Sequence, residues 1–136
     1  MTDTTTPRTI KPLAAAALVL LLAATPEPAT AEDLANGANV YRKCRACHDA
    51  GPSAKNKVGP HLNGVFGRTA GAVAGFNYSE AMTNAGAKRL VWYEETLNGY
   101  LESPTTYLPK NKMAFAGLKD EKDRADLIAY LKTLKP

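Results

Sequence analysis

The segment Cys44-Arg45-Ala46-Cys47-His48 packs two thiols and an imidazole into five residues. This is a C-x-x-C-H motif, the pattern of covalent c-type haem attachment. On a helical turn, positions i, i+3 and i+4 share one face. Two thiols so placed reach the vinyl groups of one porphyrin as thioethers, and His48 supplies an axial ligand to the iron. Cys44 and Cys47 are too close in sequence to close a useful disulfide loop. A thioredoxin-like C-x-x-C sits near a βαβ pattern, and none is visible. A structural zinc site usually takes four ligands. It would have to use Cys44, Cys47, His48 and His61, all the Cys and His residues in the chain.

The sixth ligand of such an iron decides what it does. An open position suits gas binding or peroxidase chemistry, and a filled one suits electron transfer. The candidates are Met82, Met113 and His61. Met82 falls on an expected helix and suits a core. Met113 falls in the irregular stretch Tyr107–Phe115, which Pro109 stiffens. Methionines are more often core filler, so spacing alone leaves this choice open. No paired carboxylates and no Ser–His arrangement stand out.

The elements that must position these groups read as helices and loops. A helix is expected over residues 33–46, capped by Asp33, with Leu34, Val40 and Tyr41 near one face and a flat spot at Gly37. Residues 50–76 carry eight Gly or Pro residues and keep no period, so they read as a long loop that wraps something. Short helices are expected over 79–85 and 93–101, followed by a loop bracketed by Pro104 and Pro109. The last helix, 120–134, is capped by Asp120 and carries a stripe of Leu127, Leu131 and Leu134, with charges on its other face. No strand shows convincing alternation.

The N-terminus reads differently. Arg8 and Lys11 precede twelve apolar residues, Leu13 to Ala24, then Pro26, Pro28 and a small-x-small site at Ala29-Thr30-Ala31. That is the layout of a secretory signal peptide. Twelve residues make a helix of about 18 Å, short of the ~30 Å hydrocarbon core that a membrane anchor must cross. Residues 1–31 are therefore expected to be cleaved, leaving one domain, 32–136. The formal charge of +4 then lies wholly on that domain. It suits acidic protein surfaces better than nucleic acid, since no arginine-rich tract or aromatic stacking array is present.

Beyond the C-x-x-C-H motif, the stretches VGPHLNGVFGR (58–68), GFNYS (75–79), WYEETL (92–97), YLP (107–109), KMAFAG (112–117) and DLIAYL (126–131) resemble class I cytochrome c in its bacterial cytochrome c2 and mitochondrial form. The resemblance spans nearly all of residues 32–136. It implies an all-α, single-domain fold with crossing N- and C-terminal helices and long loops wrapping one haem c. It implies His48 and Met113 as iron ligands, and the Pro60 carbonyl as partner to the far ring nitrogen of His48. It implies Tyr78 and Trp92 as donors to the haem propionates, Arg68 as their countercharge, and Tyr100 beside the Met113 sulfur. Gly37 and Tyr41 would pack on Leu127 and Leu131. Two positions depart from the common pattern: Lys110 replaces a glycine, and Asn111 replaces a threonine whose hydroxyl bonds a propionate.

The implied function is that of a periplasmic electron carrier and not an enzyme. It would be a monomer moving single electrons from a cytochrome bc complex to a terminal oxidase or photosynthetic reaction centre. Lys43, Arg45, Lys55, Lys57, Lys110 and Lys112 would ring the haem edge and meet acidic docking surfaces. The alternatives are a dedicated acceptor for a periplasmic dehydrogenase, a shuttle tethered by residues 13–24, and, should Met113 not be a ligand, a haem peroxidase or gas-binding protein.

Overall fold

The computed structural model describes residues 1–2 and 31–136, so the apolar run of the expected signal peptide lies outside the described residues. The Asp33 side chain accepts the amides of Ala35 and Asn36 and starts α1 (Leu34–Tyr41), satisfying donors that a helix start leaves free. The sequence predicts this helix running on to Ala46. It ends at Tyr41 instead, and the chain winds on through tighter i→i−3 bonds: Lys43 to Val40, Cys44 to Tyr41 and Cys47 to Cys44. In such turns side chains three apart eclipse. The tighter winding thus places the Cys44 and Cys47 thiols on the same side.

The Ser79 hydroxyl accepts the Met82 amide and caps α2 (Glu80–Ala87). α3 (Glu94–Glu102) follows Tyr93, whose amide donates to the Thr96 hydroxyl. α4 (Pro104–Tyr107) stands where the sequence predicts only a loop. Pro104 occupies its first turn, where a missing N–H costs nothing. α5 (Glu121–Thr133) is capped by Asp120, which accepts the Asp123 amide. The fold is all-α, with one isolated antiparallel bridge between Thr69 and Val91 among the described residues. No described helix is long and apolar enough to cross a membrane.

α1 and α5 cross, and Gly37 is the reason they approach closely. A Cβ there would run into the Asp126 carbonyl and the Tyr130 side chain. These are the groups such a Cβ would meet first, while Tyr41 shares the buried core with Leu127 and Leu131. Beside Gly37 the Tyr41 and Tyr130 rings pack with centroids 5.3 Å apart. Leu127, Ile128 and Leu131 are buried behind them, each contributing about 1.5–3 kcal/mol by leaving water.

The charges of α5 do not all lie on its outer face. Arg124 and Asp126 are buried. Arg124 donates to the Asn98 side chain and to the Leu118 and Lys119 carbonyls. Asp126 accepts the Asp33 amide at 2.8 Å, the Asn36 side chain at 2.8 Å and Lys122. Buried charges persist when their bonds are satisfied in this way. The Asp126 set ties the start of α1 to α5. The long loop is tied down as well: Gly67 and Ala70 donate to Trp92 and Leu90, and Trp92 donates to Arg68. One side of a cleft is thereby held against the helices.

Candidate functional site

The cleft has a volume of about 280 Å³. Every site residue expected from the sequence lines it: Cys44, Cys47, His48, Pro60, Arg68, Tyr78, Trp92, Tyr100 and Met113. They come from five separate stretches of chain, which the crossing helices and the pinned loop bring together. Leu97 and Leu101 of α3 and Leu127 and Leu131 of α5 supply apolar wall.

His48 is fixed from two sides. Its Nδ1 lies 2.7 Å from the Pro60 carbonyl oxygen. A carbonyl accepts only, so Nδ1 carries the proton and the Nε2 lone pair is left free. On the flank of the ring lies Gly59, where any Cβ would collide with the imidazole. Burial pushes the His48 pKa down, the Pro60 bond opposes that shift, and Arg68 and Lys57 add to it. The ring is therefore held neutral, the form that binds a metal. Cys44 is half-buried and Cys47 exposed, and both thiols are free.

The rest of the chain brings Met113. Its sulfur lies 3.5 Å from the Tyr100 hydroxyl, which donates to it. Burial pushes the Tyr100 phenol up to about 12, so it stays a donor across the physiological range. Trp92 packs against Tyr100 with centroids 4.9 Å apart. The Arg68 guanidinium donates to the carbonyls of Asn63 and His61. The Tyr78 hydroxyl accepts the Val73 amide and keeps its own proton to donate.

The competing candidates separate here. His61 is not part of the lining, and its Nδ1 is buried without a protein partner. Met82 does line the cleft, from α2. Among the described residues no group of three or more His, Cys, Asp or Glu side chains is placed to hold a metal ion, so the zinc arrangement of Cys44, Cys47, His48 and His61 is not formed.

The two departures in the Met113 loop have physical explanations. Lys110 sits at φ +65°, the left-handed region that favours glycine. Asn111, in the place of that threonine, uses its amide within the chain. Both of its amide hydrogens are already donated, to the carbonyls of Pro104 and Leu108. This role depends on α4 being a helix and leaves no local mark in the sequence.

The donor set fits a covalently held haem. Two free thiols, a neutral imidazole with an open nitrogen, a thioether and an apolar wall converge on one cleft, with an arginine and hydroxyl and indole groups beside them. Lys112 lines the cleft and Lys57 lies close enough to act on His48, but neither is a free arm. Lys57 donates to the Arg45 carbonyl, and Lys112 to the carbonyls of Asn77 and Tyr78.

The sequence profile of the family described as Cytochrome c matches residues 34–135. The chain is 49% identical to a cytochrome c2 of Blastochloris viridis over 114 residues, 84% of this chain and 87% of that one. It is 54% identical to a cytochrome c-550 of Ancylobacter novellus over 99 residues, 73% of this chain and 92% of that one. A solved cytochrome c2 from Rhodospirillum centenum superposes with a TM-score of 0.73 at 42% identity, over 76% of this chain and 99% of the other.

Proposed function

The chain belongs to the cytochrome c family, as a class I cytochrome c that carries one covalent haem c and moves electrons without being an enzyme, and from that premise we propose that it is a periplasmic shuttle between membrane redox complexes. The observation that carries this reading is the meeting of His48 and Met113 in one cleft, each held by a second group, Pro60 and Tyr100.

We assign His48 Nε2 and Met113 Sδ as the iron ligands, with Cys44 and Cys47 as thioether anchors. Bound haem supplies a one-electron ferric/ferrous couple. The chain tunes and protects it. Pro60 orients the imidazole and raises its basicity. The neutral thioether and the apolar wall favour the ferrous form, because the ferric form carries the extra charge. Arg68, Tyr78 and Trp92, which line the cleft, would serve the propionates. Because Tyr100 and Pro60 hold Met113 and His48 in place, little would need to rearrange when an electron moves. Residues 1–31 direct export and are removed.

Docking would use the basic rim. Lys43, Arg45, Lys55 and Lys110 would supply charge to that rim, Lys43 while paired with Asp123 at 3.7 Å, whereas Lys57 and Lys112 are bonded to backbone carbonyls. Acidic surfaces on a cytochrome bc complex, and on a terminal oxidase or reaction centre, would speed encounter in a salt-sensitive way.

An absorption spectrum of the oxidised protein tests the ligand set. The weak long-wavelength band of methionine-ligated ferric haem is expected in the native protein, retained in Met82→Ala and lost in Met113→Ala. Its absence from the native protein would overturn the assignment. Reduction and reoxidation by membrane fractions should slow as salt rises, and N-terminal sequencing of the exported protein should begin near Glu32.

A further inference from the structure

We propose that Asn111 is the positioning residue that holds Met113 in place, a clip built from one amide side chain. The inference rests on Met113 being the sixth ligand. Asn111 Oδ1 accepts the Met113 amide at 2.7 Å. Asn111 Nδ2 donates to the Pro104 carbonyl at 2.9 Å and to the Leu108 carbonyl at 2.7 Å. Two carbonyls and one N–H around the amide allow only one assignment of its oxygen and nitrogen. The clip therefore joins the backbone of Met113 to both ends of α4.

That anchor is firm. Pro104 is among the most deeply buried residues of the chain, and its carbonyl also accepts the Leu108 amide that closes α4. Immediately before Asn111, Lys110 occupies the left-handed region at φ +65°. A non-glycine residue persists there only where its surroundings hold it, and the three Asn111 bonds supply that hold. The Tyr100 hydroxyl completes the arrangement, 3.5 Å from both Asn111 Oδ1 and Met113 Sδ. Cutting the clip frees the Met113 backbone, so the thioether departs more often while the fold stays intact.

The test uses the oxidised holoprotein at neutral pH and imidazole as the competing ligand. At saturating imidazole the binding rate is limited by departure of the thioether. Asn111→Ala should raise that limiting rate about tenfold, the scale of losing the one hydrogen bond that reaches Met113 itself, while the long-wavelength band persists without imidazole. Asn111→Ser keeps an acceptor for the Met113 amide but does not reach both carbonyls, and should fall between. It carries the test if the alanine variant does not mature. Asn36→Ala cuts the bonds to Asp123 and Asp126 at the α1–α5 crossing. It should lower overall stability and leave the limiting rate at the native value. A native rate in both Asn111 variants, or equal acceleration in Asn36→Ala, would overturn the proposal. Failure of the ligand assignment itself would look different: the native protein would lack the band and bind imidazole without a limiting rate.

Discussion

The Pro60 carbonyl oxygen stands 2.7 Å from Nδ1 of His48, while the neighbouring Gly59 has no room for a Cβ against the same ring. One dipeptide thus both aims the imidazole and leaves it space. Gly59→Ala should push the ring off the carbonyl. Overpacking of this kind costs about 1–3 kcal/mol, and losing the Pro60 bond makes His48 a weaker donor, which favours ferrous iron. Urea unfolding and potentiometry of the variant should show lower stability and a higher potential. An unchanged potential would mean that the carbonyl does not tune the ring.

The Tyr100 hydroxyl withdraws electron density from the Met113 sulfur by donating to it. Tyr100→Phe removes that bond and leaves the ring contacts with Trp92 and Tyr107. The sulfur becomes a better donor to ferric iron, so the potential should fall. A weak hydrogen bond of about 0.5–1 kcal/mol corresponds to a drop of about 20–40 mV for one electron. A rise in potential would mean that the bond does not withdraw density from the sulfur.

What could be read in advance followed from local chemistry. The caps Asp33, Ser79 and Asp120 each bond an amide within three residues, so the sequence next to them announces the helix. The C-x-x-C-H motif is equally local. The placement of Arg68, Tyr78 and Trp92 around one cleft came from resemblance and not from any spacing. Three features stayed hidden for physical reasons. Pro104 reads as a breaker, although a proline also starts a helix well. Asp126 sits on α5 like any surface charge, and the approach of Asp33 and Asn36 from the start of α1, beside Lys122, makes its burial tolerable. Asn111 reads as a poor threonine until α4 supplies two carbonyls for its amide.

Asp126 should govern the acid limb of stability. The Asp33 amide, then Lys122 and Asn36, lower its pKa from 3.8 to about 2. A carboxylate with a depressed folded pKa stabilises fully above its unfolded value, and that stabilisation fades as pH falls toward the folded one. The native protein should therefore lose its advantage over Asp126→Asn between about pH 4 and about pH 2. Urea midpoints of both proteins across that window check this. A gap that stays constant with pH would show that the ionised form is not what α1 recognises.

Tyr41 offers a substitution in the stabilising direction. Its hydroxyl is buried at the α1–α5 crossing with no protein group to bond, and burial pushes its phenol up to about 12. Its ring is the part that works, packed on Tyr130. Tyr41→Phe keeps the ring and removes a polar group that folding leaves poorly partnered. Relieving that penalty should stabilise the protein by about 1 kcal/mol. A higher denaturant midpoint with an unchanged slope is the expected result, with the reduction potential unaltered. A loss of stability would mean that the hydroxyl finds a bonding partner in solution.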